Sequence, residues 1–205
     1  MPRLFFVRHA PTPETGSILT GRTPGVGLAE AGKTSARYAA AQFASGKFAA
    51  LYTSPVQRCR ETAAELASVI DLKPRVMKAF EEVDYGDWAG RKLKDLNRLK
   101  AWRHLYSAPS RVRFPNGESL AEAQSRAIAG CETIASVHKR GEHVIVVTHA
   151  DVIKSVVSHY LGAPQDLFQR ISVTPTSITV LDLPRNGHPT IQAVNVRSDI
   201  EGWLK

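Results

Sequence analysis

Leu4-Phe5-Phe6-Val7-Arg8-His9 begins with four apolar residues and ends on two polar ones. Four consecutive apolar side chains leave an extended strand no solvent-facing position, so the run reads as a short strand buried on both faces and ending near Arg8-His9. Val144-Ile145-Val146-Val147-Thr148-His149 repeats the pattern late in the chain. Strands covered on both faces need helices on both sides, and the intervening sequence supplies them. Leu28 to about Phe43 is rich in Ala and helix formers, with Gly46 marking its end. Ala50-Leu51-Tyr52-Thr53 reads as a strand. Ser54-Pro55-Val56-Gln57 then offers a capping box, with Ser at the N-cap, Pro at the first helical position and Gln three residues after the cap, so a helix starts just before Arg58. Ala63, Leu66, Ala67 and Ile70 give that helix an apolar face.

Further along, a short strand is expected near Arg75 to Met77. Ser119-Leu120-Ala121-Glu122 forms a second capping box, opening a helix to about His138, and Val152 to Leu161 returns to helix. Ile178 to Leu183 and Thr190 to Val196 read as two strands joined through Asn186-Gly187, an antiparallel hairpin. The expected fold class is α/β: a three-layer α/β/α arrangement whose mostly parallel sheet has an antiparallel edge. A length of 205 residues with no repeat, linker or low-complexity tract fits a single domain.

Lys and Arg number 27 against 19 Asp and Glu, a net charge of +8. Between Arg91 and Arg113 there are eight basic residues and one acid, Asp95, a net +7, so the other 182 residues carry only +1. Leu93, Leu96, Leu99 or Lys100, and Leu105 recur there at near-helical intervals, and the segment reads as an amphipathic helix ended by Pro109 and Pro115. It serves either as a flap over a ligand pocket, where Arg91, Lys92 or Lys94 binds an anion, or as a solvated helical face. With 43% apolar and 22% charged residues the chain is neither disordered nor fibrous. No apolar run approaches the roughly 18 residues a bilayer span needs, and Met1-Pro2-Arg3 before four apolar residues is too short a start for a secretory signal. A cytoplasmic protein without a membrane partner is expected. Cys59 and Cys131 lack metal or disulfide spacing and read as reduced, structural residues.

In open α/β sheets ligands bind beyond the carboxyl ends of the strands. Arg8 and His9, Arg58 one turn into a helix, and His149 all fall at such ends, and their convergence would make an anion pocket, helped by N–H groups of two helix N-termini. Singly, each has an ordinary explanation: a chance Arg-His pair, a hydrogen-bonded core histidine, a solvated helix Arg. Glu82, among Glu81, Asp84 and Asp87, could belong to a solvent-facing acidic loop.

Their order and surroundings, however, resemble the histidine phosphatase superfamily, which includes the cofactor-dependent phosphoglycerate mutases. The matching pieces are Leu4 to Thr12 (LFFVRHAPT), Leu28 to Gly32 (LAEAG), Tyr52 to Thr62 (YTSPVQRCRET), Phe80 to Gly90 (FEEVDYGDWAG), Pro115 to Ser119 (PNGES) and Val144 to Lys154 (VIVVTHADVIK). The resemblance implies that His9 is the nucleophile, that Arg8, Arg58 and His149 bind phosphate, and that Glu82, in the family's position before the apolar, Asp, aromatic, Gly run, is the general acid. Phosphoryl chemistry makes the same demands. A phosphomonoester dianion repels nucleophiles until cations bind its oxygens, a neutral imidazole with its tautomer fixed can attack phosphorus, and a carboxyl group of raised pKa can protonate the leaving alkoxide. No metal or organic cofactor is expected. Ala10 and Ala150 stand where the family usually has Gly, and Thr15 where mutases commonly have Asn. Thr15, Thr20, Gly21, Arg22 and Ala150 are candidate substrate contacts.

Only 26 residues separate Gly90 from Gly117, where mutases resembling this chain carry long insertions, and Glu82 is followed by Val83-Asp84-Tyr85 rather than the mutase Arg-His-Tyr. Both features favour a phosphatase acting on small phosphomonoesters and releasing inorganic phosphate. The alternatives are a mutase-type phosphotransferase and, from another class, a noncatalytic domain binding phospho-ligands or RNA. Nucleic acid is disfavoured because the basic segment interleaves only Trp102 and Tyr106. The chain is read as a monomer or homodimer. Within the superfamily the Gly21-Arg22-Thr23-Pro24-Gly25 loop, Asp151-Val152-Ile153-Lys154 and Phe168-Gln169-Arg170-Ile171 resemble actinobacterial-type members, a resemblance that implies no particular substrate.

Overall fold

A computed structural model describes residues 2–184, 186–198 and 200–204. The apolar run at the start forms β1 (Arg3–Arg8), followed by α1 (Glu30–Ala41), β2 (Ala50–Thr53), α2 (Gln57–Ile70) and β3 (Arg75–Val76). After a long connection come α3 (Leu93–Leu96), α4 (Lys100–Ser107), α5 (Leu120–Val137), β4 (His143–Thr148), α6 (Ala150–Tyr160), β5 (Ile178–Asp182) and β6 (Thr190–Val196). The strands form one sheet in the order β3-β2-β4-β1-β5-β6. The four strands from β3 to β1 are mutually parallel, and β5 and β6 continue the sheet in antiparallel pairings. The expected mostly parallel sheet with an antiparallel edge is therefore observed.

Alternation along β1 explains the three layers. Leu4 and Phe6 project to one face and pack with Val144 and Val146 against α5 and α6 residues such as Ile134, Val152 and Val156. Phe5 and Val7 project to the other and pack with Ile145 and Val147 against Phe43 and the α2 residues Ala63 and Leu66. All four β1 side chains are fully buried, each contributing roughly 1.5–3 kcal/mol of hydrophobic stabilisation. Both cysteines are buried and free. Among the described residues no helix is long and apolar enough to cross a membrane.

The local expectations fare differently. Ser119 and Glu122 form the full capping box at the start of α5. The one expected at Ser54 does not form. Helix α2 begins at Gln57 with Val56 as its uncapped N-cap; the Ser54 hydroxyl pairs with His149 Nε2 at 2.8 Å and accepts the Val56 N–H at 3.3 Å, while the Gln57 side chain donates to Glu61.

The basic segment is not one helix but two short ones, α3 and α4, separated at residues 97–99. Its apolar residues Leu93, Leu96, Leu99, Trp102 and Leu105 recur every third position. That spacing drifts around a 3.6-residue helix, and the break restores the register. Leu96, Trp102 and Leu105 are thereby buried with Trp88, Phe114 and Phe168 in a separate small core, a flap body beside the carboxyl end of the sheet. All eight basic side chains from Arg91 to Arg113 are exposed on its outside.

Candidate active site

Parallel pairing of β1 with β4 puts Arg8 opposite Thr148, so the next residue on each strand is a histidine. The His9 and His149 rings lie 5.3 Å apart between centroids. His9 Nδ1–H donates to the carbonyl of Ala10 at 2.8 Å. The tautomer is thus fixed with Nε2 as the acceptor, and Arg58 Nε–H donates to that atom at 3.1 Å. Burial and the nearby Arg58 and Arg8 charges push the His9 pKa well below its ordinary value, so the ring is neutral at pH 7.

Arg58 sits in the first turn of α2, buried, and ties the site together. Its Nη2 donates to the Gly21 carbonyl at 3.0 Å and to His149 Nδ1 at 2.9 Å, and it lies 3.3 Å from Glu82 Oε2. His149, with Nδ1 accepting, donates from Nε2 to Ser54, and burial first, then Arg58, keeps it neutral as well. Arg8 is held by the Val173 carbonyl at 2.7 Å. Arg58 Nη1 and Arg8 Nε are buried donors with no partner among the described residues. Buried N–H groups are almost always paired, so two unpaired guanidinium donors beside one cavity mark a place for an anion.

Glu82 is buried, its Oε1 accepting the Val83 N–H at 3.0 Å and its Oε2 3.3 Å from His149 Nδ1. Burial raises its pKa from 4.5 to about 7 despite the opposing Arg58 charge, with Asp151 adding to the rise. Glu81 points away, toward Arg22 at 3.5 Å. The Glu82 main chain is clamped: its carbonyl accepts from Arg22 Nε at 2.8 Å and Arg126 Nη2 at 3.1 Å. Glu118 accepts from both arginines and from the Asp84 N–H, which is where the PNGES stretch meets the acid segment. Gly32, in the LAEAG stretch, has a parallel reason. A Cβ there would run into the Pro11 carbonyl, preventing α1 from approaching the loop after His9.

Arg8, His9, Arg58 and Glu82 line a cavity of about 570 Å³, within the usual size range of small-molecule sites. Thr15, Thr20, Gly21 and Ala150 also line it. Thr15 Oγ1 accepts the Thr12 N–H, and Thr20 donates to Glu14. Arg22 does not line the cavity: its guanidinium is spent on the Glu82 clamp. His149 is fully buried behind Arg58 and Glu82 rather than on the wall. Of the flap only Leu93 reaches the cavity, and Arg91, Lys92 and Lys94 do not. The sequence reading gave no role to Tyr85, Asp151, Lys154, Gln169 and Arg170, all of which line it. Asp151 and Lys154 stand in the last matching stretch, whose i, i+3 spacing on one helix face was the available signal.

The profile of the histidine phosphatase superfamily (branch 1) matches residues 4–197. Phosphoserine phosphatase 1 of Hydrogenobacter thermophilus is 27% identical over 188 residues, covering 89% of this chain and 87% of that protein. The bifunctional protein Rv2228c of Mycobacterium tuberculosis is 27% identical over 94% of this chain, which spans about half of its length, 53%. Among solved structures, Bacillus stearothermophilus YhfR superposes with a TM-score of 0.85 at 25% identity, covering 98% of both chains.

Proposed function

Because the chain belongs to the histidine phosphatase superfamily, branch 1, we propose that it hydrolyses small phosphomonoesters through a phosphohistidine on His9 Nε2, without a metal. The observation that carries this reading is the pairing of a neutral, tautomer-fixed His9 with two unpartnered guanidinium donors in one cavity. The phosphate dianion binds Arg8 and Arg58, and Arg58 Nε–H moves from His9 Nε2 to a phosphate oxygen, freeing the lone pair for in-line attack on phosphorus. The P–O ester bond breaks as the P–N bond forms, and Glu82, protonated up to about pH 7, gives its proton to the departing alkoxide. The resulting carboxylate takes a proton from water, which attacks the phosphohistidine, releases inorganic phosphate and returns His9 and Glu82 to their starting forms. His149 acts through Arg58 and Glu82. Its Nδ1 accepts from Arg58 Nη2 and lies 3.3 Å from Glu82 Oε2, so it orients both groups toward the phosphate. Thr15, Thr20 and the Ala150 N–H at the start of α6 complete the rim of the phosphate end.

The test is phosphate release from a panel of sugar phosphates, phosphoglycerates, nucleotides and phosphoamino acids, with and without EDTA. It is paired with trapping of an acid-labile phosphoenzyme in wild type and His9→Ala. The expected result is EDTA-insensitive release and a phosphoenzyme absent from His9→Ala. Phosphoryl transfer between monophosphoglycerates outpacing hydrolysis would replace the phosphatase by the mutase reading. Ligand or RNA binding with no phosphate release from any ester would replace both.

A further inference from the structure

The cavity is larger than a phosphate requires, and the part of its wall not used above is charged. Lys154 lies one turn into α6, four residues and so roughly 6 Å along the axis from Ala150. Side chains on a helix lean toward its N-terminus, which here is the phosphate end. The Lys154 side chain is only 15% exposed. Its ammonium donates to Gln169 Oε1 at 2.9 Å and Asp151 Oδ1 at 3.3 Å and lies 5.7 Å from the Phe168 ring centroid. Asp151 is itself shared, its other oxygen accepting the Tyr85 hydroxyl at 2.9 Å. Two of the three ammonium donors are thus engaged, and Gln169 has its amide N–H₂ to spare among the described residues.

Arg170 follows on the same short 3₁₀ segment, Gln165–Arg170, which the buried Phe168 anchors against the flap core. Three residues on, the Val173 carbonyl holds Arg8. Arg170 lines the cavity at its exposed rim and has no hydrogen-bond or ion-pair partner among the described residues. Among the described residues the lining carries four cations, Arg8, Arg58, Lys154 and Arg170, against two carboxylates, Glu82 and Asp151. Arg8 and Arg58 answer to the phosphoryl group, and Asp151 accounts for one of the other two charges. One full positive charge remains, with free donors from three side chains around it. The same lining includes the apolar side chains of Leu19 and Leu93.

We propose that Lys154, Gln169 and Arg170 form a second anion subsite that selects compact phosphomonoesters bearing another anionic group, a carboxylate or a second phosphate, a short chain away. This deepens the phosphatase reading and rests on it. Arg170 gives the fork for bidentate pairing, Lys154 a pre-oriented point charge, and the Gln169 amide a neutral donor.

The experiment measures kcat/KM for three esters of similar length: one with a neutral hydroxyl tail (glycerol phosphate), one with a carboxylate tail (3-phosphoglycerate or O-phosphoserine) and one with a phosphate tail (a bisphosphate). Wild type should prefer at least one anionic tail over the neutral one by tenfold or more, and the better of the two identifies the native group. Arg170→Gln and Lys154→Met should each reduce that anionic-to-neutral ratio roughly 10- to 100-fold, chiefly through KM, the loss expected for a charged hydrogen bond. Lys92→Gln, on the exposed flap surface, should leave the ratio unchanged. Equal loss on all three esters in the Arg170 and Lys154 variants, no preference in wild type, or a fall in the ratio confined to Lys92→Gln would overturn the subsite while leaving the phosphatase reading intact. Absence of turnover with the neutral ester and every other ester in wild type would overturn both.

Discussion

Replacing Glu82 by Gln should make the protein a worse catalyst and, at alkaline pH, a more stable one. The Glu82 carboxyl titrates at about 7 in the fold against 4.5 for an ordinary glutamate, mainly because burial disfavours its charged form. That difference is worth about 3 kcal/mol. The folded state holds the proton between those two values while the unfolded chain gives it up, so this contribution to stability is complete below about pH 4.5 and is lost as pH rises to about 7. His9 and His149 work in the opposite sense. Their depressed pKa values mean that the unfolded chain binds protons the fold does not, so their contribution is present above about pH 6.5 and lost on acidification. The histidine contribution is common to wild type and variant, and the difference between them isolates Glu82. Urea unfolding at pH 5 and pH 8 should show wild type losing about 2–3 kcal/mol relative to Glu82→Gln across that interval. Parallel stability profiles would refute the assignment of Glu82 as a buried acid.

Its kinetic counterpart uses the leaving group. An alkyl ester releases a strongly basic alkoxide and needs the proton, and a nitrophenyl ester does not. Glu82→Gln should lower kcat/KM for the alkyl ester by about 10²–10⁴ and for the nitrophenyl ester far less. In wild type the alkyl-ester rate should fall above about pH 7, where Glu82 loses its proton. Glu81→Gln, whose carboxylate faces Arg22 rather than the cavity, should change neither rate appreciably. Equal losses from both substitutions would mean that the acid has been misidentified.

Arg58→Met removes the donors to His9, Gly21 and His149 together with one positive charge, and kcat/KM should fall by at least about 10²–10³. A loss under tenfold in steady-state assays would contradict its place at the phosphate. Glu118→Gln weakens the clamp shared by Arg22 and Arg126. It should cost about 1–3 kcal/mol in denaturant unfolding and flatten the alkaline fall of the alkyl-ester rate as the Glu82 loop loosens, whereas a merely structural residue would lower stability alone. Gly86 has a φ of +51° and lies so close to the Pro115 carbonyl that no Cβ fits. Gly86→Ala should therefore speed hydrogen exchange in the flap core around Trp88 and Phe114 more than in the central sheet.

The sheet was legible because its central strands carry the information locally: four apolar residues in a row leave a strand only a doubly covered position. Once β1 and β4 are placed side by side, His9 and His149 must meet, since each directly follows its strand. Arg58 joins them because α2 starts beyond the end of β2, just before Arg58. The Ser54 pattern satisfies a capping box, yet its hydroxyl accepts the Val56 N–H rather than that of Gln57 and also meets a histidine 95 residues away, a partner no local pattern reveals. Arg22 illustrates the same limit. A loop arginine near the pocket reads as a substrate contact, but the carboxylate it meets, Glu118, and the carbonyl it holds, that of Glu82, come from distant segments.

Charge misled more than it informed, because the net +7 of the flap follows sequence proximity and not cavity geometry. Two short helices that turn Leu96, Trp102 and Leu105 inward turn their lysines and arginines outward, so the density of cations there reflects the polar face of an amphipathic segment. The cations facing the cavity come singly, from β1, α2, α6 and the 3₁₀ segment after α6, and each has uncharged residues directly before and after it. That dispersion is what anion recognition in a dry site requires. A cluster of cations on one buried element would repel itself and pay for its own desolvation, whereas single cations on separate elements are each stabilised by local partners until the ligand brings the opposing charge. The Val173 carbonyl behind Arg8, the Gly21 carbonyl behind Arg58 and Asp151 beside Lys154 are those partners. Arg170, at the exposed rim, needs none.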